Sequence, residues 1–379
     1  MPTGAGKTRT AINLVSEEFK NKPKNLIIWL AHTEELCQQA HDEFSKAWEI
    51  IGNAKIKSYK LFKNFRYDLN DINSGFVVLS LDYAYSLTKT KQSLFFSLAR
   101  KCDFVVMDEA HMSVAPSYQQ VLDILVNKET YLLGLTATPG RAEIGSDENI
   151  KLAKFYNKQK VTLNIKGYKT PIDFLQDKNY LAAVEREQLE VSTNIKKIFS
   201  QKEISRELKR IRGGMDFSNE FVKKLSTNET RTNMIIEKAI IESKDSSNKI
   251  IIFAGSIDTA KNIDLVLKME NINCSLVTGE TNLFERRNNI EKFKDTKSGM
   301  NIIINYGVLT TGFDAPKANV AIIGRPTQSV TLYSQMVGRV MRGKKAGGNE
   351  FCKVVTVKDP IYGFRDMSES FEYWEELWD

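Results

Sequence analysis

Nine short apolar runs, each about the length of one strand, set the tightest limit on what this chain can fold into. "LIIWL" (26–30), "FVVLS" (76–80), "FVVM" (104–107) and "YLLGL" (131–135) form a first block. "KIIIFA" (249–254), "CSLV" (274–277), "NIII" (301–304), "VAII" (320–323) and "KVVTV" (353–357) form a second. Apolar residues follow one another in these runs instead of alternating with polar ones, so each strand must be covered on both faces. The intervening stretches are long enough for helices, and Ile12, Val15 and Phe19 recur at helical spacing after Lys7. Strands buried on both faces and separated by helices make a parallel sheet, so the predicted fold class is α/β with two parallel doubly wound sheets in tandem. Residues 1–142 are expected to form the first domain and 229–379 the second. Between them, 143–228 is lysine-rich, with "GSDEN", Pro171 and a glycine pair at 213–214, which suits a linker or an accessory helical segment.

Composition excludes several classes. No apolar run approaches the ~20 residues that a spanning helix needs, and the first residues lack the basic and apolar regions of a secretory signal. The location is therefore read as cytoplasmic. Cys37, Cys102, Cys274 and Cys352 lie far apart, without zinc-ligand spacing, and are expected to be reduced and buried. An excess of 54 basic over 47 acidic side chains, +7 in all, modestly favours an anionic partner.

Chemistry concentrates at two places in the first block. Gly4-Ala5-Gly6-Lys7-Thr8 has the glycines, lysine and threonine of a phosphate-cradling loop, with Met1 at the place of its first glycine. In such a loop Lys7 brings a point charge to the β and γ phosphates and Thr8 a hydroxyl to Mg²⁺. "VVMDEAH" then sets Asp108 and Glu109 at the carboxyl end of an apolar strand, where ligands gather in open α/β sheets. Asp108 suits the same Mg²⁺, directly or through water, and Glu109 can orient or deprotonate an attacking water. A phosphate loop is normally aimed by a preceding strand. None is encoded before Gly4, so a longer native chain is expected, with the sheet of residues 1–142 short of a central strand and ATP bound poorly.

Taken in order, these segments resemble superfamily 2 helicases, the group of tandem RecA-like motors that includes DEAH-box proteins. "PTGAGKT" resembles motif I, "LAHTEEL" (30–36) motif Ia, Asp108-Glu109-Ala110-His111 motif II, and "LTATP" (135–139) motif III. In the second block "IIIFAGS" resembles motif IV, "VTGET" (277–281) the backbone-contact motif that follows it, "GVLTTGFDAP" (307–316) motif V, and "QMVGRVMR" (335–342) motif VI.

The resemblance implies an ATP-dependent helicase or translocase with ATP and Mg²⁺ in the cleft between its two domains. Arg339 and Arg342, read as one helical turn apart, are implied to reach the γ phosphate, with Gln335 beside the attacking water. Gly312 and Asp314 are implied to approach the nucleotide from the second domain. His111, Thr136 and Thr138 are implied to couple the ATP site to motif III, and Thr33, Thr281 and Thr310 to contact nucleic acid. His32 reads as a packing or loop histidine.

The combination of "LLGLTATPGR", "NYGVLTTGFDAP" and "LYSQMVGRVMR" is most similar to restriction-enzyme motor subunits and DNA-repair helicases, which implies duplex DNA as the partner. A nuclease or defence-complex partner would have to supply any cutting, because 143–228 holds no paired metal-binding carboxylates. The alternative is a nucleic-acid clamp or truncated remnant that keeps the fold without turnover.

Overall fold

In the computed structural model the described residues are 4–62, 65, 67–137, 147–162, 165–191, 195–213, 215–310 and 313–359. Among them lie two all-parallel sheets. The first contains β1 (Leu26–Ala31), β2 (Ser58–Leu61), β3 (Gly75–Ser80), β4 (Phe104–Asp108) and β5 (Tyr131–Leu135), in the order β2-β3-β1-β4-β5. The second contains β6 (Ala183–Glu190), β7 (Ile250–Phe253), β8 (Cys274–Val277), β9 (Ile302–Asn305), β10 (Val320–Ile323) and β11 (Phe351–Lys358), in the order β6-β11-β10-β7-β9-β8.

The continuous apolar runs are the central strands, for the reason their sequence gives. All six residues of β1 are shielded from solvent between β3 and β4. On one face Ile28 and Leu30 join Val77, Val105 and Leu122; on the other Ile27 and Trp29 pack with Ile12, Phe19 and Phe44. The second face is covered by α1 (Lys7–Asn21) and α2 (Glu34–Ile51). Each fully buried aliphatic side chain is worth roughly 1.5–3 kcal/mol relative to its exposed state, so this layer is the chief support of the loops above it. Ile251 and Ile303 face one core of the second sheet, Ile250 and Ile302 the other.

One expectation is extended and one corrected. The segment 143–228, mainly helical as read, also contains β6, which pairs along its whole length with β11. "AVEREQLE" carries no apolar run because β6 is an edge strand, with half of its residues exposed. The same segment supplies helices Gln201–Arg212 and Asn219–Ser226, which share a small core of Phe199, Phe217 and Phe221.

The first sheet also has no gap at its centre. From β2 to β5 every strand is hydrogen-bonded to the next, and β1 already has a partner on either side. The open position is the outer edge of β5, where Tyr131 is 71% exposed and the other four residues are half-buried.

Candidate nucleotide and nucleic-acid site

Because every strand in each sheet runs the same way, the segments that leave their carboxyl ends gather along one edge. The phosphate loop enters that edge through two glycines in left-handed conformation, Gly4 at φ +83° and Gly6 at φ +87°. A side chain is strained at either position. Gly6 is the N-cap of α1, makes no side-chain cap there, and is followed by a first turn without an acidic residue. The positive end of the helix therefore meets no carboxylate from its own first turn, an arrangement that suits a phosphate. Ala5, Lys7 and Thr8 are half-buried around this turn. Burial lowers the Lys7 ammonium below its ordinary pKa; Glu109 and Asp108 oppose that shift, and Arg339 and Arg342 add to it.

Asp108, the last residue of β4, is 6% exposed. Burial and repulsion from Glu109 push its carboxyl up to about 7, against the attraction of Lys7 and a hydrogen bond from the Glu109 amide. That amide donates to Asp108 Oδ1 at 3.0 Å. Glu109 itself sits at φ +52°, in the left-handed region that non-glycine residues seldom occupy. Strain of this kind, of order 1–3 kcal/mol, is held where the surroundings over-determine it and concentrates at functional sites.

Here those surroundings include His111, whose Nδ1 lies 3.3 Å from Glu109 Oε2 and 3.2 Å from Thr136 Oγ1. Thr136 follows the end of β5, so one imidazole touches both the acidic pair and the motif III segment. Thr138 and Gly312 lie outside the described residues.

The second sheet contributes two arginines, and their geometry differs from that expected. Helix Val330–Val337 ends before either of them, so Arg339 and Arg342 do not share a helical face. Val337 and Gly338 close the helix, Arg339 lies in the turn that follows, and Arg342 makes an isolated bridge to Leu181. Regular i, i+3 spacing does not survive a helix end.

Arg339 is turned toward its own domain: Nη2 donates to the Thr310 carbonyl at 2.6 Å, and Nη1 to that of Phe313. Burial and the neighbouring Arg342 lower its pKa to about 10, so it stays charged near neutrality. Arg342 reaches the other domain, donating through Nη1 to the Gly4 carbonyl at 2.9 Å and through Nη2 to Asp314 Oδ1 at 2.8 Å. Gln335 is buried on the helix, at 8% exposure.

Two of the three nucleic-acid candidates share one chemical feature. Thr33 caps α2 by accepting the Leu36 amide at 3.2 Å, and Thr281 accepts the Thr278 amide at 2.9 Å. A hydroxyl that accepts a backbone N–H keeps its own proton for donation, for example to a phosphate oxygen. Thr310 lies in the motif V segment, where its carbonyl receives Arg339.

Arg286 belongs to no motif read from the sequence. It donates to the Thr278 carbonyl at 3.2 Å and lies 3.5 Å from Glu35 Oε1 on α2, so it ties the Thr281 turn to the first domain beside Thr33. Its signal in the sequence is slight: one cation in the polar helix Leu283–Lys294, whose importance depends on a contact between domains.

No group of three or more His, Cys, Asp or Glu side chains suited to a metal occurs among the described residues. The donors Thr8 and Asp108 fit an ion completed by phosphate oxygens, and the crowding that raises Asp108 is what a divalent cation would relieve. All four cysteines are buried as free thiols, as expected, and burial pushes Cys102, Cys274 and Cys352 up to about 12.

Comparison with known proteins gives the family. Residues 1–141 match the type III restriction enzyme res subunit, and 231–344 match the helicase conserved C-terminal domain. IRC3 of Saccharomyces cerevisiae, named as an ATP-dependent helicase, is 25% identical over 90% of this chain and 45% of its own length. XPB2 of Sulfurisphaera tokodaii, named as a DNA 3'-5' translocase, is 24% identical over 91% of this chain and 74% of its own.

The chain spans about half the length of the first of these relatives. Among solved structures, a single-residue variant of Saccharomyces cerevisiae Dbp5 bound to RNA and ADP BeF3 has a TM-score of 0.61 at 17% identity, covering 97% of this chain and 79% of that one. That likeness concerns the fold, and it agrees with the two sheets described above. The chain belongs to superfamily 2 of the helicases, with restriction-enzyme subunits and DNA translocases among its relatives.

Proposed function

We propose that this chain is the ATP-hydrolysing motor of a DNA helicase or translocase, acting on duplex DNA as part of a restriction, repair or phage-defence system. The observation that carries the reading is Arg342, which crosses from the second domain to the Gly4 carbonyl of the phosphate loop. It supports a composite site in which neither domain holds all the required charges.

Gly4, Ala5, Gly6 and Lys7 receive the phosphates, while Thr8 and Asp108 would hold Mg²⁺, which would supply positive charge beside the phosphate groups when bound. Glu109 orients or deprotonates the water that attacks the γ phosphorus as the bond to the β–γ bridging oxygen breaks. Lys7, Arg339 and Arg342 offset the charge that builds on the transferred group. Gln335 and Asp314 complete the second domain's side of the site.

Thr33, Thr281 and Thr310 contact the nucleic-acid backbone, and His111 with Thr136 passes the state of the acidic pair toward them. The match to a restriction-enzyme subunit and the relation to a named DNA translocase favour DNA over RNA and a nuclease or other subunit as partner.

The test is ATP turnover with duplex DNA, single-stranded DNA and RNA, for the parent and for Glu109→Gln. The variant is expected to bind ATP and lose turnover, with duplex DNA the strongest stimulant of the parent. Turnover at the parental rate in Glu109→Gln removes Glu109 from its assigned role. A parent that binds nucleic acid and never hydrolyses ATP is a clamp, and the motor reading fails.

A further inference from the structure

We propose that His32 is a positioning residue for Glu109, carrying occupancy of the Thr33 turn to the hydrolytic carboxylate; this rests on the motor reading above. Strand register sets the placement. Leu30 of β1 is paired with Met107 of β4, so the two residues that follow on each strand bring His32 and Glu109 to adjacent positions at the sheet edge. On the other side Ala31 is paired with Ser80, which sets His32 beside the first turn of helix Leu81–Thr90 and its Asp82. His32 thus stands between two strand ends while being the immediate neighbour of Thr33, the α2 cap.

Its Nδ1 is buried without a hydrogen-bond partner among the described residues. An unmet buried polar atom is costly, and an apolar residue would fill the space without that cost. Electrostatically the imidazole faces Glu109, Asp82 and Glu35, yet burial holds it below its ordinary pKa, so it is neutral near pH 7. A neutral ring leaves the Glu109 carboxylate unneutralised, as a base for water requires. His111 holds Glu109 from the motif III side. His32 meets it from the motif Ia side, where one planar peptide unit joins it to Thr33. A phosphate that engages the Thr33 hydroxyl therefore moves the His32 backbone, and the ring with it, against Glu109.

The chain has three histidines, which makes the test direct. His32→Ala and His32→Asn are compared with the parent for ATP turnover with and without DNA, KM for ATP, and DNA affinity. Histidine imidazole NMR signals are followed in the nucleotide-free parent as a short DNA duplex is added.

The expected result for His32→Ala is a loss of at least tenfold in DNA-stimulated kcat, with KM for ATP, DNA affinity and unstimulated turnover within threefold of the parent. Asn, which returns a polar nitrogen, should recover part of the loss. The parent's His32 signal should move on DNA addition, and Glu109→Gln should displace it in the absence of DNA. The proposal is overturned if stimulated kcat stays within twofold of the parent, or if it falls only in step with DNA affinity. A parent without turnover refutes the motor reading instead; the NMR arm then decides for His32, and a signal unmoved by both DNA and Glu109→Gln overturns it.

Discussion

Replacing Arg342 separates a structural staple from a catalytic arginine, because the two roles differ in size by several kcal/mol. Arg342→Ala removes the 2.9 Å bond to the Gly4 carbonyl and the 2.8 Å ion pair with Asp314. In that pair the side chains are 20% and 48% exposed, so solvent screens it. Partly exposed pairs of this kind contribute about 0–1 kcal/mol, and one hydrogen bond to a charged donor about 1.5–3 kcal/mol. Thermal stability should therefore fall only modestly. Arginines acting on a transferring phosphoryl group contribute about 10³–10⁵ in rate, or roughly 4–7 kcal/mol at 1.36 kcal/mol per tenfold.

The assay is steady-state ATP turnover at saturating nucleic acid, run beside a melting curve for the same preparation. Arg342→Ala should lose at least a thousandfold in kcat with its melting transition little changed. Arg342→Lys should recover only part of that, since an ammonium keeps the charge and loses the planar fork that serves Gly4 and Asp314 together. A fall in kcat of less than tenfold would show that the arginine braces the cleft without acting on the phosphoryl group. So would a loss of activity that merely follows a lower melting temperature.

Gly6→Ala should weaken ATP binding through the backbone alone, because a Cβ there meets nothing within 4 Å while φ stays at +87°. A left-handed alanine costs about 1–2 kcal/mol, so calorimetry should report a several-fold to thirtyfold loss of affinity, and unchanged affinity would refute the left-handed geometry of the loop. Asp359→Ala should destabilise the second domain by about 3–5 kcal/mol, because it leaves the guanidinium of Arg231 buried with only the Gly324 carbonyl as a hydrogen-bond partner among the described residues. Urea unfolding of that variant checks it, and a change below about 1 kcal/mol contradicts a stabilising role for the pair. Native protein should react with a thiol reagent at none of its four cysteines and at all four once unfolded, since every one is buried. Rapid native labelling would show that a sheet opens locally.

The parallel sheets were legible because their central strands are covered on both faces and therefore read as unbroken apolar runs. Two edge strands without such a run were not. Ser58–Leu61 and Ala183–Glu190 lie at sheet edges, the first alternating half-buried and buried residues and the second mostly polar, and neither differs from loop or helix sequence by composition.

The acidic pair and phosphate loop were legible as compact motifs, since neighbours in sequence must act together. The arginine geometry was not. Arg339 and Arg342 have suitable helical spacing, but the helix stops at Val337, and the destinations of their guanidinium groups depend on carbonyls at Thr310 and Gly4, which are remote in the sequence. His32 reads as a packing residue in sequence because its neighbourhood is created by strand register, and no local pattern records that His32 and Glu109 follow paired residues.

The open edge of β5 bears on how such a site is held. Met107 and Asp108 at the end of β4 are paired on β5 with Gly134 and Leu135, so β5 supports the acidic pair from one side while its own outer edge has no strand among the described residues. Thr136, one residue beyond that strand, is where His111 attaches. Gly134 is the reason the packing closes at this point: a Cβ in its place would come within 2.8 Å of Ala110 and 2.7 Å of the Tyr156 ring. Tyr156 also shares a 2.8 Å hydrogen bond with Ser113, just after the acidic pair. The β5 region is thus joined to the acidic segment at two places, through His111 to Glu109 and through the Tyr156 ring to Ser113. Covering the β5 edge with a further strand would restrain both at once, which ties the rigidity of the Glu109 segment to the least protected strand of the sheet.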